Sequence, residues 1–304
     1  MRKLSIITTR WRSTAAGSAV PSPRHGLQTN RWVLPAAVWL LCVLSPGLAR
    51  AEGVDAALTK FSKGSTVTVD HSAFDVLLKA YVAPAERGLN RLDYKAFKSE
   101  KQQALKAYIA GLEKVQVATL DRPEQFAYWA NLYNAKTVDI ILDKYPVQSI
   151  KDISLGGGLI AAVTGGPWKA KVLRVAGREI SLDDIEHGIL RPVFKDPRVH
   201  YAVNCASVGC PNIGREALTG AKLDQQLDAA ARAFINSPRG VAVTDGRVTA
   251  SSIYSWFQAD FGGSPSGVIA HARRYAEPAL KQKLEGLTSI AEFGYDWTLN
   301  ETRK

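Results

Sequence analysis

The chain has 304 residues and a formal net charge of +11, from 39 lysines and arginines against 28 aspartates and glutamates. Seven of the basic residues and none of the acidic ones precede Glu52, so the rest of the chain carries only +4, from 32 basic and 28 acidic side chains. This small, dispersed charge argues against a nucleic-acid partner. No period of 20–50 residues repeats, which excludes a solenoid.

The first 51 residues have the pattern of a secretory signal. Basic residues precede an apolar run over 32–44, and Ala49-Arg50-Ala51 resembles a cleavage site. The run is too short for a stable membrane span, although an uncleaved anchor is an alternative. Because the segment has no Arg-Arg pair, we expect Sec-type export to the periplasm or the exterior. Residues 52–68 are then a lead-in, and 69–304 are expected to form a single globular domain.

Helices dominate the first half of this domain. Apolar spacing predicts one helix from His71 and a second from Leu92 to about Val115. Asp121 can cap a third helix and Glu124 can complete a capping box. That helix is predicted to end at Tyr145, because Pro146 follows.

The second half mixes hairpins and helices. Residues 171–180 and 241–248 are predicted hairpins, the latter with a type I′ turn at Asp245-Gly246. Ser181 is predicted to cap a short helix that ends before Pro192, and 199–205 are predicted to form a strand. Helices over 219–235 and up to 261 and an extended segment at 295–299 follow. The fold class is therefore α+β, a helix-rich single domain with a small antiparallel sheet and β-hairpins.

Cys205 and Cys210 allow three interpretations. After export, a disulfide across the intervening four residues is favoured, and the turn at 207–209 permits it. Either cysteine could instead be a nucleophile, Cys210 at a helix N-terminus beside Pro211 or Cys205 at a strand end. A zinc site with His187 and His200 fits no usual ligand spacing, so we predict no metal and no cofactor.

A nucleophilic cysteine would need a base. His187 and His200 are the candidates, with Glu186 or Asn131 to orient the base. If 199–205 are a strand, His200 and Cys205 point to opposite faces, which favours His187. The alternative for His187 is an ion-paired surface residue.

Two asparagines are unusual in the apolar helix 121–145. Asn131 and Asn134 share one face, so their amides could bind a ligand together with Tyr133, or could anchor a neighbouring loop. The glycine clusters at 156–158 and 165–166 lack the spacing of phosphate or dinucleotide loops and are read as turns.

The sequence resembles the DUF547 family, a family named for its unknown function. The matching stretches are 126–135, 180–191, 196–205 and 207–211, and weaker likeness extends over most of the chain after residue 51. The resemblance implies one shared site that contains Asn131, Asn134, Glu186, His187, His200, Cys205 and Cys210.

We therefore expect an exported protein with a polar Asn/His/Cys pocket for a small-molecule or peptide ligand. Thiol-dependent acyl transfer or hydrolysis is the leading catalytic hypothesis, in which Asn131 could donate to an oxyanion. The alternative is a non-catalytic binding or assembly module of the cell envelope, in which Cys205 and Cys210 form a disulfide.

Overall fold

A computed structural model describes residues 55–86, 88–155 and 166–302. The predicted signal at 1–51 and the glycine cluster at 156–158 lie outside these residues. Among the described helices, none combines the length and apolar character needed to cross a bilayer.

The protein is α+β and helix-rich, as predicted. Ten helices are labelled here in chain order: α1 Ala56–Thr59, α2 Ser72–Tyr81, α3 Tyr94–Leu112, α4 Arg122–Lys144, α5 Asp184–Phe194, α6 Val199–Ala202, α7 Leu223–Ile235, α8 Ile253–Trp256, α9 Pro265–Tyr275 and α10 Pro278–Lys283. Short 3₁₀ turns cover Val117–Thr119, Ile150–Asp152, Gly220–Lys222 and Gln258–Phe261.

Within the described residues the strands form three small sheets. They are β1 Val82–Glu86, β2 Leu89–Leu92, β3 Leu173–Val175, β4 Arg178–Ile180, β5 Val241–Thr244, β6 Arg247–Ser251 and β7 Glu292–Gly294. The pairs β1–β2, β3–β4 and β5–β6 are antiparallel, and β7 adds to β6 in parallel. Both predicted hairpins are therefore present, and β1–β2 and the parallel strand β7 are additional to the prediction. Asp245 and Gly246 have φ of 51° and 72°, as a type I′ turn requires.

Helix α4 is buried along nearly all of its length and forms the centre of the fold. Asp121 caps it by accepting a 3.0 Å hydrogen bond from the Glu124 backbone N–H. The predicted capping box is wrong. The Glu124 carboxylate instead accepts from the backbone N–H groups of Val69 (2.8 Å) and Gly220 (2.8 Å), and so ties two distant segments to the helix start.

Helix α5 continues past Pro192, where it was predicted to end. Its turns are of the wider π type, and it ends at Lys195, whose φ of 53° is left-handed. In an α-helix a proline ring collides with the carbonyl four residues earlier, and the i→i+5 register moves that carbonyl away. Ser181 and Asp184 exchange hydrogen bonds of 2.7 and 3.1 Å at the start of the helix, which confirms the predicted cap.

The predicted strand over 199–205 is also wrong at its start. Residues Val199–Ala202 form one helical turn, and the chain becomes extended only at Val203. Because all four residues of the turn are buried, their burial has no helical period to detect. The strand-parity argument that separated His200 from Cys205 therefore does not apply.

The buried apolar side chains form two clusters. The larger one gathers around α2, α3, α4 and α5. The smaller one joins α7, β5, β6, α8 and α9, with Tyr254 and Phe261 among its fully buried members. The segment Val199–Val203 contributes to both clusters.

Candidate functional site

A cleft of about 260 Å³ lies where the two clusters meet. Tyr133 of α4 contributes from the larger cluster, and Ile253 of α8 from the smaller. The remaining lining side chains are mostly aromatic, charged or sulfur-containing: Trp168, Lys169, Asp183, Glu186, His187, His200, Cys205, Cys210, Trp256, Phe257, Tyr295 and Trp297. Six of the eight residues proposed from sequence as catalytic or ligand-binding, Tyr133 among them, thus line one cleft, and the two asparagines do not.

Charged groups surround His200 on one side of the cleft. Asp260 Oδ2 lies 2.7 Å from His200 Nε2 and accepts a 2.6 Å hydrogen bond from Arg191 Nε. Because a carboxylate can only accept, this contact assigns a proton to Nε2. The other ring nitrogen, Nδ1, lies 3.9 Å from Glu186 Oε1. The buried imidazole is therefore held between two carboxylates.

This arrangement controls the charge of Asp260. Its hydrogen bond from His200, and then the neighbouring Arg191 guanidinium, hold the pKa of Asp260 well below its ordinary value despite partial burial. The His200 ring also stacks on Phe257 with centroids 4.4 Å apart. The ring is therefore fixed in orientation by the hydrogen bond to Asp260 at its edge and by Phe257 against its face.

Glu186 reaches the cleft from α5 and faces Tyr133 of α4. Tyr133 is completely buried, and burial together with the negative charge of Glu186 raises its pKa well above the ordinary value. The phenol therefore stays protonated and available as a donor at neutral pH.

The two cysteines lie together in one wall of the cleft. Their Sγ atoms are at disulfide distance and their Cα atoms are 6.3 Å apart. Tyr295 Oη lies 3.0 Å from Cys205 Sγ and 3.2 Å from Cys210 Sγ. Arg239 donates to the carbonyls of Val208 and Cys210, which holds the loop between the cysteines from the opposite side.

Three aromatic side chains extend this wall. Tyr295 packs against both Trp256 and Trp297, with ring centroids 4.8 and 4.6 Å away. Trp297 also meets Trp168 edge-on at 5.8 Å. Trp256 remains 49% exposed, so a large apolar surface faces the opening. Exposed tryptophans of this kind are uncommon on a surface that has no partner.

His187 lies at the rim rather than at the cysteines. Its Nδ1 is 3.2 Å from Arg191 and its Nε2 is 3.8 Å from Asp183. Its side chain is 34% exposed. This partly exposed position beside Asp183 and Arg191 fits the surface residue that was the alternative from sequence, although the contacts do not make His187 the cation of an ion pair.

Asn131 and Asn134 bond backbone rather than facing the cleft. Asn131 donates to the Leu218 carbonyl (2.8 Å) and accepts from the Leu218 N–H (2.9 Å). Asn134 donates to the Ala202 carbonyl and accepts from the Asn204 N–H, both at 2.8 Å. Both amides are occupied in this way, which is the loop-anchoring arrangement. Neither is placed as an oxyanion donor or a ligand contact.

Several residues that line the cleft or hold its lining side chains were missed from sequence. Asp260 had no signal, because a lone aspartate in a short turn is common. The tryptophans were visible as individual residues, but they are separated by up to 129 positions and follow no motif. Among the described residues, no three or more His, Cys, Asp or Glu side chains converge as metal ligands.

Comparison with known proteins gives one family. Residues 117–235 match the model of a family described as protein of unknown function, DUF547. Over this segment the chain matches the DUF547 family, which supports the resemblance seen in the sequence. The matched DUF547 region supplies α4, α5, α6, the cysteine loop and α7, and therefore Tyr133, Glu186 and His200. No curated protein and no solved structure gave a match.

The aromatic wall lies largely outside the matched region. Trp256, Phe257, Tyr295 and Trp297 and the carboxylate of Asp260 all follow residue 235, beyond the DUF547 match. The matched region therefore includes Glu186, His200 and the two cysteines, but not the aromatic side chains Trp256, Tyr295 and Trp297 that extend the cysteine wall.

Proposed function

We propose that this protein is an exported ligand-binding module of the cell envelope whose cleft holds a small organic ligand. The observation that carries this proposal is the cleft itself. It has a volume of about 260 Å³, is lined by tryptophan and tyrosine side chains, and contains a few fixed polar groups. Small-molecule sites have this composition. The paired cysteines then shape one wall, and Asn131 and Asn134 hold the backbone behind it.

Binding of a neutral, polarity-sensitive dye tests this function. Prodan should bind the wild-type protein with saturable 1:1 stoichiometry and a blue-shifted emission. Trp256→Ala removes the most exposed wall residue and should weaken binding about tenfold, because burial of an aromatic side chain contributes roughly 1.5–3 kcal/mol. Val76→Ala is the control, since Val76 is 66% exposed on α2 and does not line the cleft. Failure of the dye to saturate, or equal weakening by both variants, would contradict a binding function.

Thiol-dependent acyl transfer or hydrolysis is the second candidate. It is favoured by one observation, that Cys205, Cys210, His200 and Glu186 all line the same cleft. It requires the sulfurs to be free, since a nucleophile must be a thiolate. Iodoacetamide labelling of the purified, non-reduced protein separates the two functions. Rapid labelling of either cysteine below pH 7 would favour catalysis, and no labelling until a reductant is added would favour the binding module.

Export is proposed from the N-terminal sequence. The basic segment, the apolar run 32–44 and Ala49-Arg50-Ala51 support cleavage after residue 51. The mass of the protein recovered from a periplasmic extract checks this directly. A full-length mass in that extract would indicate an uncleaved anchor, and recovery only from the cytoplasm would contradict export.

A further inference from the structure

Glu186 is a carboxylate in an apolar cleft without a full counter-charge. Its side chain is only 12% exposed. Across the described ranges, its one basic neighbour within 4.0 Å is His200, at 3.9 Å and therefore beyond hydrogen-bond range, and the Tyr133 hydroxyl supplies only a neutral hydrogen-bond donor. A carboxylate removed from water is costly unless a cation or hydrogen bonds compensate.

The basic groups near Glu186 bind other carboxylates or are exposed to solvent. His200 donates its Nε2 proton to Asp260, and Arg191 pairs with the same carboxylate. Lys169 lines the cleft, but its side chain is exposed to solvent, where its charge is screened. A second carboxylate, Asp183, lies on the same side of the cleft, 3.8 Å from His187. The interior of the cleft is therefore short of positive charge.

The aromatic wall supplies the complementary surface. The face of an indole or phenol ring attracts a cation within about 6 Å of its centroid, and tryptophan does so best. Two rings of this cleft already hold a cation of the protein itself. Lys151 Nζ lies 5.1 Å from the centre of Trp297, and the Arg191 guanidinium lies 4.6 Å from that of Phe257. Trp256 and Tyr295 have no such internal cation among the described contacts.

From these contacts we infer that the ligand is a compact organic ammonium ion. Its cationic head lies between Glu186 and the faces of Trp256 and Tyr295, and its apolar body packs against the remaining aromatic wall. This inference rests on the proposed binding function and adds the chemical class of the ligand. A cavity of about 260 Å³ restricts the ligand to a small molecule.

The test uses a pair of probes that differ in charge but hardly in shape. Choline and its neutral isostere 3,3-dimethylbutan-1-ol each compete with prodan for the wild-type protein, at equal ionic strength. Choline should displace the dye at a concentration at least about tenfold lower than the isostere, because a desolvated ammonium gains cation–π and ionic attraction that the alcohol lacks.

Two variants locate the effect. Glu186→Gln removes the charge with little change in shape and should reduce the preference for choline to about threefold or less. Glu179→Gln is the matched control, because Glu179 is 67% exposed on β4 and should keep the full preference. Trp256→Leu, at a position that is 49% exposed, should weaken choline more than the isostere.

The outcomes separate the two proposals. If prodan binds the cleft but choline and the isostere compete equally, the ammonium inference is wrong and the binding function stands. If prodan does not bind in the cleft at all, the binding function itself fails. A preference for choline that survives Glu186→Gln would also overturn the assignment of this carboxylate.

Discussion

Asn134 shows how a polar side chain in a buried helix can serve the fold rather than a ligand. Its amide matches one carbonyl and one N–H of the segment 202–204, with both hydrogen bonds at 2.8 Å. The residue is 7% exposed, so water cannot replace either bond. The sequence shows that an asparagine is unusual in this helix. The backbone groups that Asn134 binds are 68 and 70 positions away, so they could be identified only from the fold.

Asn134→Ala should therefore destabilise the protein by roughly 2–4 kcal/mol, since two buried backbone groups lose their partner. Urea unfolding at pH 7 measures the change. Asn236→Ala is the control, because Asn236 also bridges two backbone groups, Tyr275 O and Glu277 N, but at a position open to solvent. It should cost less than about 1 kcal/mol. Equal costs for the two variants would show that burial is not the deciding factor.

His271 gives a second prediction at the residue scale, in its response to pH. Burial lowers its pKa to about 4, and the positive charge of Arg274 adds to this. As the pH falls below about 6.5, this histidine therefore takes up a proton in the unfolded chain but stays neutral in the folded protein. The free energy of unfolding is at its full value above about pH 6.5 and decreases towards pH 4.

His271→Gln removes this group and keeps a hydrogen-bonding side chain opposite Tyr201, whose Oη lies 2.9 Å from His271 Nε2. The loss of unfolding free energy between pH 6.5 and 4 should be smaller in the variant by up to about 3 kcal/mol. His71, whose pKa is also lowered by burial, remains and keeps some of the slope. An unchanged slope would contradict a neutral buried His271.

At the scale of elements, local signals predicted the starts of helices and the tight hairpins well. Asp121 and Ser181 act within four residues of their own position, so sequence alone identifies them. The errors fall where tertiary contacts override a local rule. Pro192 lies inside α5, and Val199–Ala202 adopt a helical turn although valine and tyrosine favour strands.

The turn between the two cysteines depends on a glycine. A Cβ placed on Gly209 would lie 2.8 Å from the Asp296 backbone nitrogen and 2.9 Å from the Tyr295 ring, and Gly209 N–H donates to Asp296 O at 2.7 Å. A side chain here would push the segment carrying Tyr295 and Trp297 away from the sulfurs.

Gly209→Ala should accordingly lower stability by about 1–3 kcal/mol, since overpacking at this position cannot be relieved by a flexible side chain. Differential scanning calorimetry measures it. Gly111→Ala is the matched control, because nothing lies within 4 Å of its added Cβ in helix α3. That change should stabilise by about 0.5–1 kcal/mol. Destabilisation of the same size in both variants would contradict the close approach at Gly209.

Across the whole molecule, the cleft exists because two hydrophobic clusters meet without merging. Asp260 belongs to the turn Gln258–Phe261 beside the smaller cluster, and it binds Arg191 of α5 and His200 of α6. This one carboxylate thus ties the side of the cleft that bears Phe257 to the side that bears Glu186.

Asp260→Asn should cost roughly 2 kcal/mol at pH 7, the usual value of hydrogen bonds to a charged group. Because the folded-state pKa of Asp260 is held below its ordinary value, this stabilisation is present above about pH 4 and is lost at lower pH. The stability gap between wild type and variant should therefore narrow as pH falls below 4. Chemical denaturation at pH 7, 4 and 3 follows it, with the exposed Asp245→Asn as control. A gap independent of pH would mean that the charge of Asp260 does not stabilise the fold.

Patterns in the sequence were enough to predict the α+β class, the starts of the main helices, the two hairpins with their tight turns and the resemblance to the DUF547 family. These features depend on interactions between residues a few positions apart and on the spacing of apolar side chains, and both can be read directly from the sequence. It also identified Glu186, His200 and the cysteines as residues of interest. Which of these residues lie together depends on the tertiary structure. Asp260, Trp256 and Trp297 reach them through contacts between segments that are far apart in sequence. Burial, charge pairing and the cleft itself result from that packing, so they cannot be predicted from local sequence patterns.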